Sequence, residues 1–272
     1  MKYKLIASDL DGTLLNDNSE ITGRTKAAIR AAIAKGALFV PATGRPLCGV
    51  ERVNILLEGD MPFVLFNGAK VMTGKTKRLL FEQNLDSACA LGIWQLGLER
   101  DIPIIIWVDE TLYINRDCDE VREYRKITGA TIHLTDDISG LQGITKMLWL
   151  CDPAQALRWQ DELNARFAGR VNCHTSWPQM LEFVDAKASK GLALAAIGAA
   201  YGIDRSEMIA FGDNYNDVSM LEYAGLGIAM ANAPEDIKAK CQEVTLSNNE
   251  DGVAVAMERY VLGGDWLRAS DR

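Results

Sequence analysis

The stretch Lys4–Thr13 reads KLIASDLDGT and joins a short apolar run to a turn that is rich in carboxylates. An apolar run without polar alternation is typical of a strand that is buried on both faces of a parallel sheet. Asp9 and Asp11 follow this run, at the carboxyl end where open α/β sheets bind ligands. In extended backbone the two side chains point to the same side, which favours a bound cation or a shared proton. Because Asp-Gly followed by Thr is also good turn chemistry, this stretch alone leaves a plain turn equally open.

The segments around this stretch alternate between strand and helix patterns. In the first third, a helix is predicted over Thr25–Lys35, and further apolar strands are predicted over Ala37–Ala42 and Phe63–Phe66. The last third repeats the alternation, with strands predicted over Met208–Phe211, Leu226–Met230 and Glu243–Leu246 and helices over Leu192–Tyr201, Val218–Ala224, Pro234–Cys241 and Gly252–Val261. Continuous apolar strands separated by helices indicate an α/β fold in which helices cover both faces of a parallel sheet.

The middle of the chain follows a different pattern, in which hairpins are mixed with helices. A tight turn is predicted at Asp109-Glu110 between two short strands, and a second pair of strands flanks Pro178. Such a mixture predicts an α+β unit with an antiparallel sheet. We therefore expect residues 1–82 and 188–272 to form a core domain and residues 83–187 to form an inserted α+β domain. Five of the six tryptophans fall in this insertion, and we interpret them as fillers of a small core rather than as a ligand-stacking surface.

Composition and charge exclude several classes of protein. The chain has 272 residues, of which 48% are hydrophobic and 24% are charged, so we expect it to fold rather than to remain disordered. Its formal charge of -8 argues against nucleic-acid binding, which needs a basic face. No apolar stretch is long enough to span a bilayer, and Asp9 and Asp11 interrupt any hydrophobic region of a signal peptide. We therefore expect no membrane partner and a cytoplasmic location.

A second acidic cluster, Gly212–Asp217, lies between a predicted strand and a predicted helix. Asp213 follows its strand as Asp9 follows the first, so the carboxylates converge if the two strands are neighbours. Ligands that offer only oxygen atoms suit Mg²⁺. In the alternative interpretation, Asn216 or Asp217 merely caps the following helix.

Two further elements favour the binding of an anion. Thr43, Gly44 and Arg45 follow the second predicted strand and offer a hydroxyl, a flexible backbone and a guanidinium. Lys190 follows Ser189 at the start of a predicted helix, where the backbone N–H groups already favour negative charge. The plain alternatives are a surface loop for Thr43–Arg45 and a solvated side chain for Lys190. Because four such elements stand at strand or helix ends, a shared anion site explains them better than a chance arrangement.

The motifs resemble those of a known family. Asp9–Thr13, Thr43, Lys190 and Gly212–Asp217 occur in the order found in the haloacid dehalogenase superfamily. Finer details are similar to its Cof-type phosphatases, including Asn67-Gly68 after the third strand, and Pro41 is one mild departure because an aliphatic residue is usual there. The resemblance implies an α/β fold with a Rossmann-like, doubly wound parallel sheet as its core and an inserted α+β cap domain of the C2B type.

The resemblance also implies an activity, a cofactor and a role for each matching residue. The activity is Mg²⁺-dependent hydrolysis of small phosphorylated metabolites, such as sugar phosphates, through an aspartyl-phosphate intermediate. Asp9 would be the nucleophile, and Asp11 would be the general acid and base. The implied metal-site residues are Asp9, Asp11, Asp213, Asn214 and Asp217, and the residues implied to bind phosphate or substrate are Leu10, Thr43, Gly44, Arg45, Lys190 and Asn216.

Two other functions remain open from the sequence. A phosphomutase or another phosphotransferase of the same superfamily would share every motif and differ in whether water or a sugar hydroxyl attacks the intermediate. A non-enzymatic, phospho-accepting signalling domain also uses acidic residues, Mg²⁺, Thr and Lys, but it is shorter and has no large insertion. The expected partner is a small-molecule phosphomonoester, with no nucleic acid and no membrane, and the expected assembly is a monomer or a small homo-oligomer.

Overall fold

A computed structural model of the chain describes residues 1–50, 53, 57 and 59–263. The remaining residues, 51, 52, 54–56, 58 and 264–272, lie outside the described residues, and all of them fall in the predicted core parts 1–82 and 188–272. The chain divides into two compact units, of which the first comprises Met1–Gly44, Glu51–Phe81 and Ser189–Arg272 and the second comprises Arg45–Val50 and Glu82–Ala188. The sequence-based boundaries had placed the segment Arg45–Val50 with the core.

The first unit is built on an eight-stranded sheet. Numbered along the chain, its strands are β1 (Leu5–Asp9), β2 (Leu38–Ala42), β3 (Pro62–Leu65), β4 (Lys70–Thr73), β5 (Leu79–Glu82), β12 (Met208–Gly212), β13 (Leu226–Ala229) and β14 (Glu243–Val244). They lie in the order β14-β13-β12-β1-β2-β3-β4-β5. Pairing is parallel from β14 to β3 and antiparallel between β3 and β4. Strands β1 and β12 are therefore neighbours, as the convergence of the two acidic motifs requires.

Helices cover both faces of this sheet, so the predicted doubly wound fold is confirmed. Among the described residues of this unit, the helices with defined bounds are Gly23–Ala34, Lys190–Tyr201, Val218–Tyr223, Glu235–Lys238 and Gly252–Met257. Side chains of Lys190–Tyr201 share a buried cluster with Leu5 and Ala7, which face one side of the sheet. On the opposite side, Ile29 of the first helix and Phe39 of β2 line one small cavity.

The helix that carries Lys190 begins with the cap that the sequence predicts. The Ser189 hydroxyl accepts a hydrogen bond from the Leu192 backbone N–H at 3.1 Å, which satisfies one of the free donors of the first turn. The helix begins at Lys190, two residues earlier than predicted, and ends at Gly202 in the left-handed conformation. Lys190 is therefore held in the first turn of a capped helix.

The second unit contains a six-stranded sheet and three helices. Its strands are β6 (Ile104–Val108), β7 (Thr111–Ile114), β8 (Thr131–Leu134), β9 (Ile144–Leu150), β10 (Val171–Trp177) and β11 (Met180–Asp185), and its helices are Ser87–Glu99, Asp119–Thr128 and Pro153–Arg166. The order is β10-β11-β9-β6-β7-β8, and every pair is antiparallel except β7 with β8. The predicted α+β character is confirmed. Strand β8 was not predicted, because it is a largely exposed edge strand without a run of apolar residues.

The burial of the tryptophans shows which of them fill the core of the second unit. Four of them are at least nine-tenths buried in this unit: Trp94, Trp107, Trp149 and Trp159. Trp149 packs edge-on against Trp159, with ring centres 5.9 Å apart. Trp177 is 53% exposed, so the interpretation as a core filler is wrong for that residue. Among the described residues of the chain, no helix is both long and apolar enough to cross a membrane.

Candidate active site

Three carboxylates meet at the carboxyl edge of the parallel sheet. Asp9 is the last residue of β1, and Asp213 directly follows β12, the neighbouring parallel strand. One carboxylate oxygen from each of Asp9, Asp213 and Asp217 lies within 4.8 Å of the others. The sequence predicts that Asp9, Asp11 and Asp213 converge, whereas the third carboxylate of this buried group is that of Asp217.

Lys190 supplies a buried positive charge to this cluster. Its side chain is fully buried, and Nζ lies 2.5 Å from Asp9 Oδ1 and 2.6 Å from Asp217 Oδ1. Three carboxylates and one ammonium leave a net charge of -2 when all four groups are ionised. Buried charge of one sign is costly unless a counter-charge is near. The arrangement therefore favours the binding of a further cation.

The electrostatics of the cluster follow from burial and from this excess of negative charge. Burial, followed by repulsion from Asp217, raises the pKa of Asp9 to about 8, although Lys190 opposes the shift. Burial also raises the pKa of Asp213, against the hydrogen bond from Thr13. Burial alone would lower the pKa of Lys190, but Asp217 and Asp9 outweigh it and raise the pKa above its usual range. Lys190 therefore stays protonated, whereas Asp9 ionises readily only when more positive charge is present.

Asp217 pairs with Lys190 and also holds the loop that contains Asp213 and Asn214. It is fully buried, and its Oδ2 accepts hydrogen bonds from the backbone N–H groups of Asp213 and Asn214, both at 3.0 Å. The alternative that Asn216 or Asp217 caps the following helix is wrong, because that helix has no side-chain cap bond. Instead, Asn214 caps the short 3-10 turn Tyr215–Asp217, and its side-chain oxygen accepts a hydrogen bond from the Tyr215 backbone N–H. Because that oxygen is already engaged, a role of Asn214 in supporting a metal stays a prediction.

The glycine and threonine of the first motif shape the pocket around Asp213. The Thr13 hydroxyl donates a hydrogen bond of 2.7 Å to Asp213 Oδ1. Gly12 has a φ of +82°, and a Cβ atom at this position would lie 2.5 Å from Asp213 Oδ2. A side chain at residue 12 would therefore displace the carboxylate. In the sequence, both residues stand out only by their place in the Asp-Gly-Thr turn, which does not indicate a contact with Asp213.

Asp11 is exposed at the edge of the buried cluster. Strand β1 ends at Asp9, and a turn begins at Leu10, so the extended backbone assumed for a shared direction of Asp9 and Asp11 does not continue. Asp11 is exposed, whereas Asp9 is buried, and the charge of Asp11 still contributes to the raised pKa of Asp213. An exposed carboxyl beside the cluster can exchange protons with water, which suits an acid and base. Leu10 is fully buried.

Three of the predicted phosphate-binding residues of the first unit, Thr43, Gly44 and Asn216, lie around Asn67. Its backbone N–H donates to the Thr43 carbonyl at 3.0 Å, and its Oδ1 accepts from Asn216 Nδ2 at 3.0 Å. A Cβ atom on Gly44 would lie 3.0 Å from the same Oδ1. Thr43 is 1% exposed. Arg45, the next residue of the chain, belongs to the second unit.

These features define a class of protein. A parallel α/β sheet whose carboxyl edge carries clustered carboxylates, a buried lysine and a loop with a threonine hydroxyl is typical of enzymes that transfer phosphoryl groups. The carboxylates supply the oxygen donors that Mg²⁺ prefers, and the net negative charge of the cluster calls for a cation. The residues present therefore fit a magnesium ion.

Comparison with known proteins identifies the family. The sequence profile of the haloacid dehalogenase-like hydrolases matches residues 6–257. The chain belongs to this superfamily, in its Cof-type phosphatase group, and it is a phosphatase.

Individual relatives agree over nearly the full length. The Bacillus subtilis protein named "Putative phosphatase YxeH" is 35% identical over 268 residues, covering 96% of this chain and 99% of that protein. Another B. subtilis protein, named 5-amino-6-(5-phospho-D-ribitylamino)uracil phosphatase YwtE, is 29% identical, covering 96% of this chain and 99% of its own. A crystal structure of a haloacid dehalogenase-like hydrolase from Bacteroides thetaiotaomicron superposes with a TM-score of 0.84 at 31% identity, covering 94% of this chain and 99% of the other.

Proposed function

We propose that the protein is a Mg²⁺-dependent phosphatase that hydrolyses small phosphorylated metabolites, with sugar phosphates as the substrate class, through an aspartyl-phosphate. The observation that carries this proposal is the buried contact of 2.5 Å between Lys190 Nζ and Asp9 Oδ1 at the end of β1. A nucleophilic carboxylate needs its charge and that of the phosphate offset where they meet. Lys190 is placed to do this from the first turn of a capped helix.

In the first step, a carboxylate oxygen of Asp9 attacks phosphorus, and the bond from phosphorus to the leaving oxygen breaks. Asp11 gives its proton to that oxygen, so the leaving group departs as an alcohol. In the second step, Asp11 takes a proton from water, and the resulting hydroxyl oxygen attacks phosphorus. Phosphate then leaves and the Asp9 carboxylate is restored. The burial of Asp9 and the exposure of Asp11 support this division of roles.

The phosphoryl oxygens are bound by Lys190, Thr43, Gly44 and Asn216, with Leu10 contributing from the turn after Asp9. Three of these residues, Thr43, Gly44 and Asn216, are close to one another around Asn67, which supports a common binding site. Arg45 reaches the phosphate or the adjoining part of the substrate in this proposal.

Magnesium would be held by Asp9, the backbone carbonyl of Asp11 and Asp213, with support from Asp217 or Asn214. When bound, the ion offsets negative charge on the phosphoryl group. The net charge of the carboxylate cluster supports this assignment. Asp217 already holds Lys190 and two backbone N–H groups, which favours its supporting role.

The substrate class rests on the family and on one relative. YwtE is named as a phosphatase of 5-amino-6-(5-phospho-D-ribitylamino)uracil, whose phosphate is attached to a ribityl chain, the chain of a sugar alcohol. We retain residues 1–82 and 188–272 as the core and residues 83–187 as an inserted cap that selects the substrate. A cytoplasmic location and a monomer or small homo-oligomer complete the proposal, and cell fractionation and light scattering test them.

The test is a phosphate-release assay over sugar phosphates, polyol phosphates and nucleotides, with MgCl₂ or with EDTA. We expect turnover of sugar or polyol phosphates that EDTA abolishes and added Mg²⁺ restores. Activity unaffected by EDTA would contradict the metal assignment. Formation of an isomeric sugar phosphate without free phosphate would favour a phosphomutase.

A second assay tests the covalent intermediate. After incubation with a ³²P-labelled substrate and an acid quench, label is expected on the wild-type chain, and hydroxylamine should remove it. Asp9→Asn should carry no label. Equal labelling of this variant would place the intermediate elsewhere.

A further inference from the structure

The turn Phe66–Gly68, directly after β3, has three consecutive residues in the left-handed region. Their φ angles are 50° for Phe66, 56° for Asn67 and 100° for Gly68. Glycine adopts such angles without strain, asparagine tolerates them, and phenylalanine rarely does. Phe66 is fully buried, so the surrounding core holds this backbone in place. Backbone strain of this kind persists where the structure over-determines it, which is common at functional sites.

The turn contacts two of the loops that form the phosphoryl site. The Asn67 backbone N–H donates to the Thr43 carbonyl at 3.0 Å, which ties the turn to the loop after β2. The side-chain oxygen of Asn67 accepts from Asn216 Nδ2 at 3.0 Å, which ties it to the loop after β12. The same side chain packs against Gly44, since a Cβ there would lie 3.0 Å from its oxygen and 3.2 Å from its nitrogen.

Gly68 extends these contacts to the helix that carries Lys190. A Cβ atom on Gly68 would lie 2.1 Å from the Ser189 carbonyl oxygen and 2.6 Å from the Lys190 backbone nitrogen. Only a residue without a side chain allows this close approach. One three-residue turn therefore contacts the Thr43, Asn216 and Lys190 segments, which come from distant parts of the chain.

We propose that Asn67 is a positioning residue, whose side-chain amide sets the distance between Asn216 and the Thr43-Gly44 loop so that both bind one phosphoryl group. The proposal rests on the phosphatase function proposed above. Two demands meet at this residue: a left-handed backbone, which glycine satisfies best, and a hydrogen bond to Asn216, which glycine cannot make. Asn67 satisfies both.

The variant Asn67→Gly separates the two demands. It keeps the left-handed backbone without strain and deletes the amide, so the melting temperature is expected to change little, because relief of the left-handed conformation opposes the lost hydrogen bond and the greater freedom of glycine in the unfolded chain. The value of kcat/KM for a sugar phosphate is expected to fall on the order of 10²-fold, because phosphoryl-binding groups lose their alignment. Inhibition by inorganic phosphate should weaken in parallel.

The matched control is Lys77→Gly. Lys77 is exposed in the turn between β4 and β5 and has a φ of 54°, nearly that of Asn67. The same change of residue at this position should leave kcat/KM and phosphate inhibition at wild-type values. Any general effect of relieving a left-handed residue in the core unit would appear in both variants.

A double-mutant cycle with Asn216→Ala tests the route of action. If Asn67 acts through Asn216, Asn67→Gly should have little further effect in the Asn216→Ala background. Fully additive losses, or wild-type kcat/KM and phosphate inhibition in Asn67→Gly, would overturn the positioning role. Because wild-type turnover is measured in the same series, its absence would count against the phosphatase proposal instead.

Discussion

Lys190 of the first unit and Lys146 of the second are both buried against carboxylates, and their surroundings differ. Lys190 Nζ lies 2.5 Å and 2.6 Å from the carboxylates of Asp9 and Asp217, and Asp213 completes the cluster. Lys146 of β9 is nearly as buried, and its Nζ lies 3.1 Å from Glu182 Oε1 on β11. Both lysines keep a raised pKa, because nearby acids outweigh the effect of burial.

The difference between them is the balance of charge. The pair Lys146–Glu182 matches one charge with another, whereas the Lys190 cluster holds more negative than positive charge. A matched buried pair can be purely structural, because its charges satisfy each other. Unmatched carboxylates are destabilising in the free protein and become useful when a cation and a phosphoryl group arrive. The imbalance, rather than burial of a lysine, distinguishes the candidate active site.

The largest effect is expected from removing the nucleophile. Asp9→Asn should lower kcat at least on the order of 10³-fold, because an amide cannot form the aspartyl-phosphate. The melting temperature of the metal-free variant at neutral pH should change little, because Asp9, with a pKa of about 8, is largely protonated there and asparagine is a neutral side chain of the same shape. Phosphate release and thermal melting of the same samples check both statements. Turnover near the wild-type rate would show that the cluster is not the reacting centre.

The two lysines can be compared directly by substitution with methionine. Lys190→Met should reduce kcat about 10²- to 10³-fold, because the phosphoryl group loses a fixed cation. Lys146→Met should mainly reduce stability, by about 3–5 kcal/mol, because the buried carboxylate of Glu182 loses the cation that offsets its charge. Urea unfolding and kcat per folded molecule, measured for both variants, separate the two effects.

A paired substitution controls for misfolding of the second unit. In Lys146→Met/Glu182→Leu both charges are removed, so stability should recover toward wild type. If this double variant has lost as much kcat as Lys190→Met, the matched pair is more than structural and the contrast between the lysines is wrong.

The sheet of the first unit is largely predictable because burial on both faces leaves a visible apolar run. Strands β1, β2, β3 and β12 all carry this signal. Strands β4 and β5 and the edge strand β8 lack it, since they are short and include polar or exposed residues. Their existence depends on pairing with strands already in place, which local composition does not encode.

The charged residues of the candidate site are also predictable, because they follow strand ends and begin a helix. The contacts that hold these residues in place are not predictable in this way, because they join parts of the chain that are distant in sequence. Asn67 meets Asn216 across 149 positions of sequence, and Thr13 meets Asp213 across 200. No local pattern indicates such contacts. The inference that Asp11 shares a side with Asp9 assumed extended backbone beyond Asp9, whereas the strand ends there, so that inference stays a prediction.

A smaller effect is expected from the hydroxyl that orients Asp213. Thr13→Val keeps the shape of a buried side chain and removes the 2.7 Å hydrogen bond to Asp213 Oδ1. The Mg²⁺ concentration that gives half-maximal activity should rise about 10- to 100-fold, as is common when a ligand loses its outer partner. Thr25→Val is the control, because that buried hydroxyl bonds Asp251 instead. An equal rise in both variants would point to a general loss of packing.

The smallest effects, in stability against pH, should have opposite signs at the two buried clusters. In the metal-free protein the pKa of Asp9 is raised from 3.8 to about 8, so the folded state holds its proton more tightly than the unfolded state. This contribution to stability declines as pH rises from about 4 to about 8. Next to Lys146 and Glu182, burial lowers the pKa of His174 from 6.5, so the unfolded state takes up the proton more readily.

The contribution of His174 therefore declines as pH falls below about 6.5. Urea unfolding in EDTA at about pH 5 and about pH 8 compares the wild type with Asp9→Asn and His174→Gln. Relative to wild type, Asp9→Asn should gain stability at the higher pH, and His174→Gln should gain it at the lower pH. Gains of the same sign in both variants would mean that the two clusters do not differ in the way their charges are balanced. Adding Mg²⁺ should remove the effect at Asp9 and leave that at His174, because the ion offsets only the unmatched carboxylates.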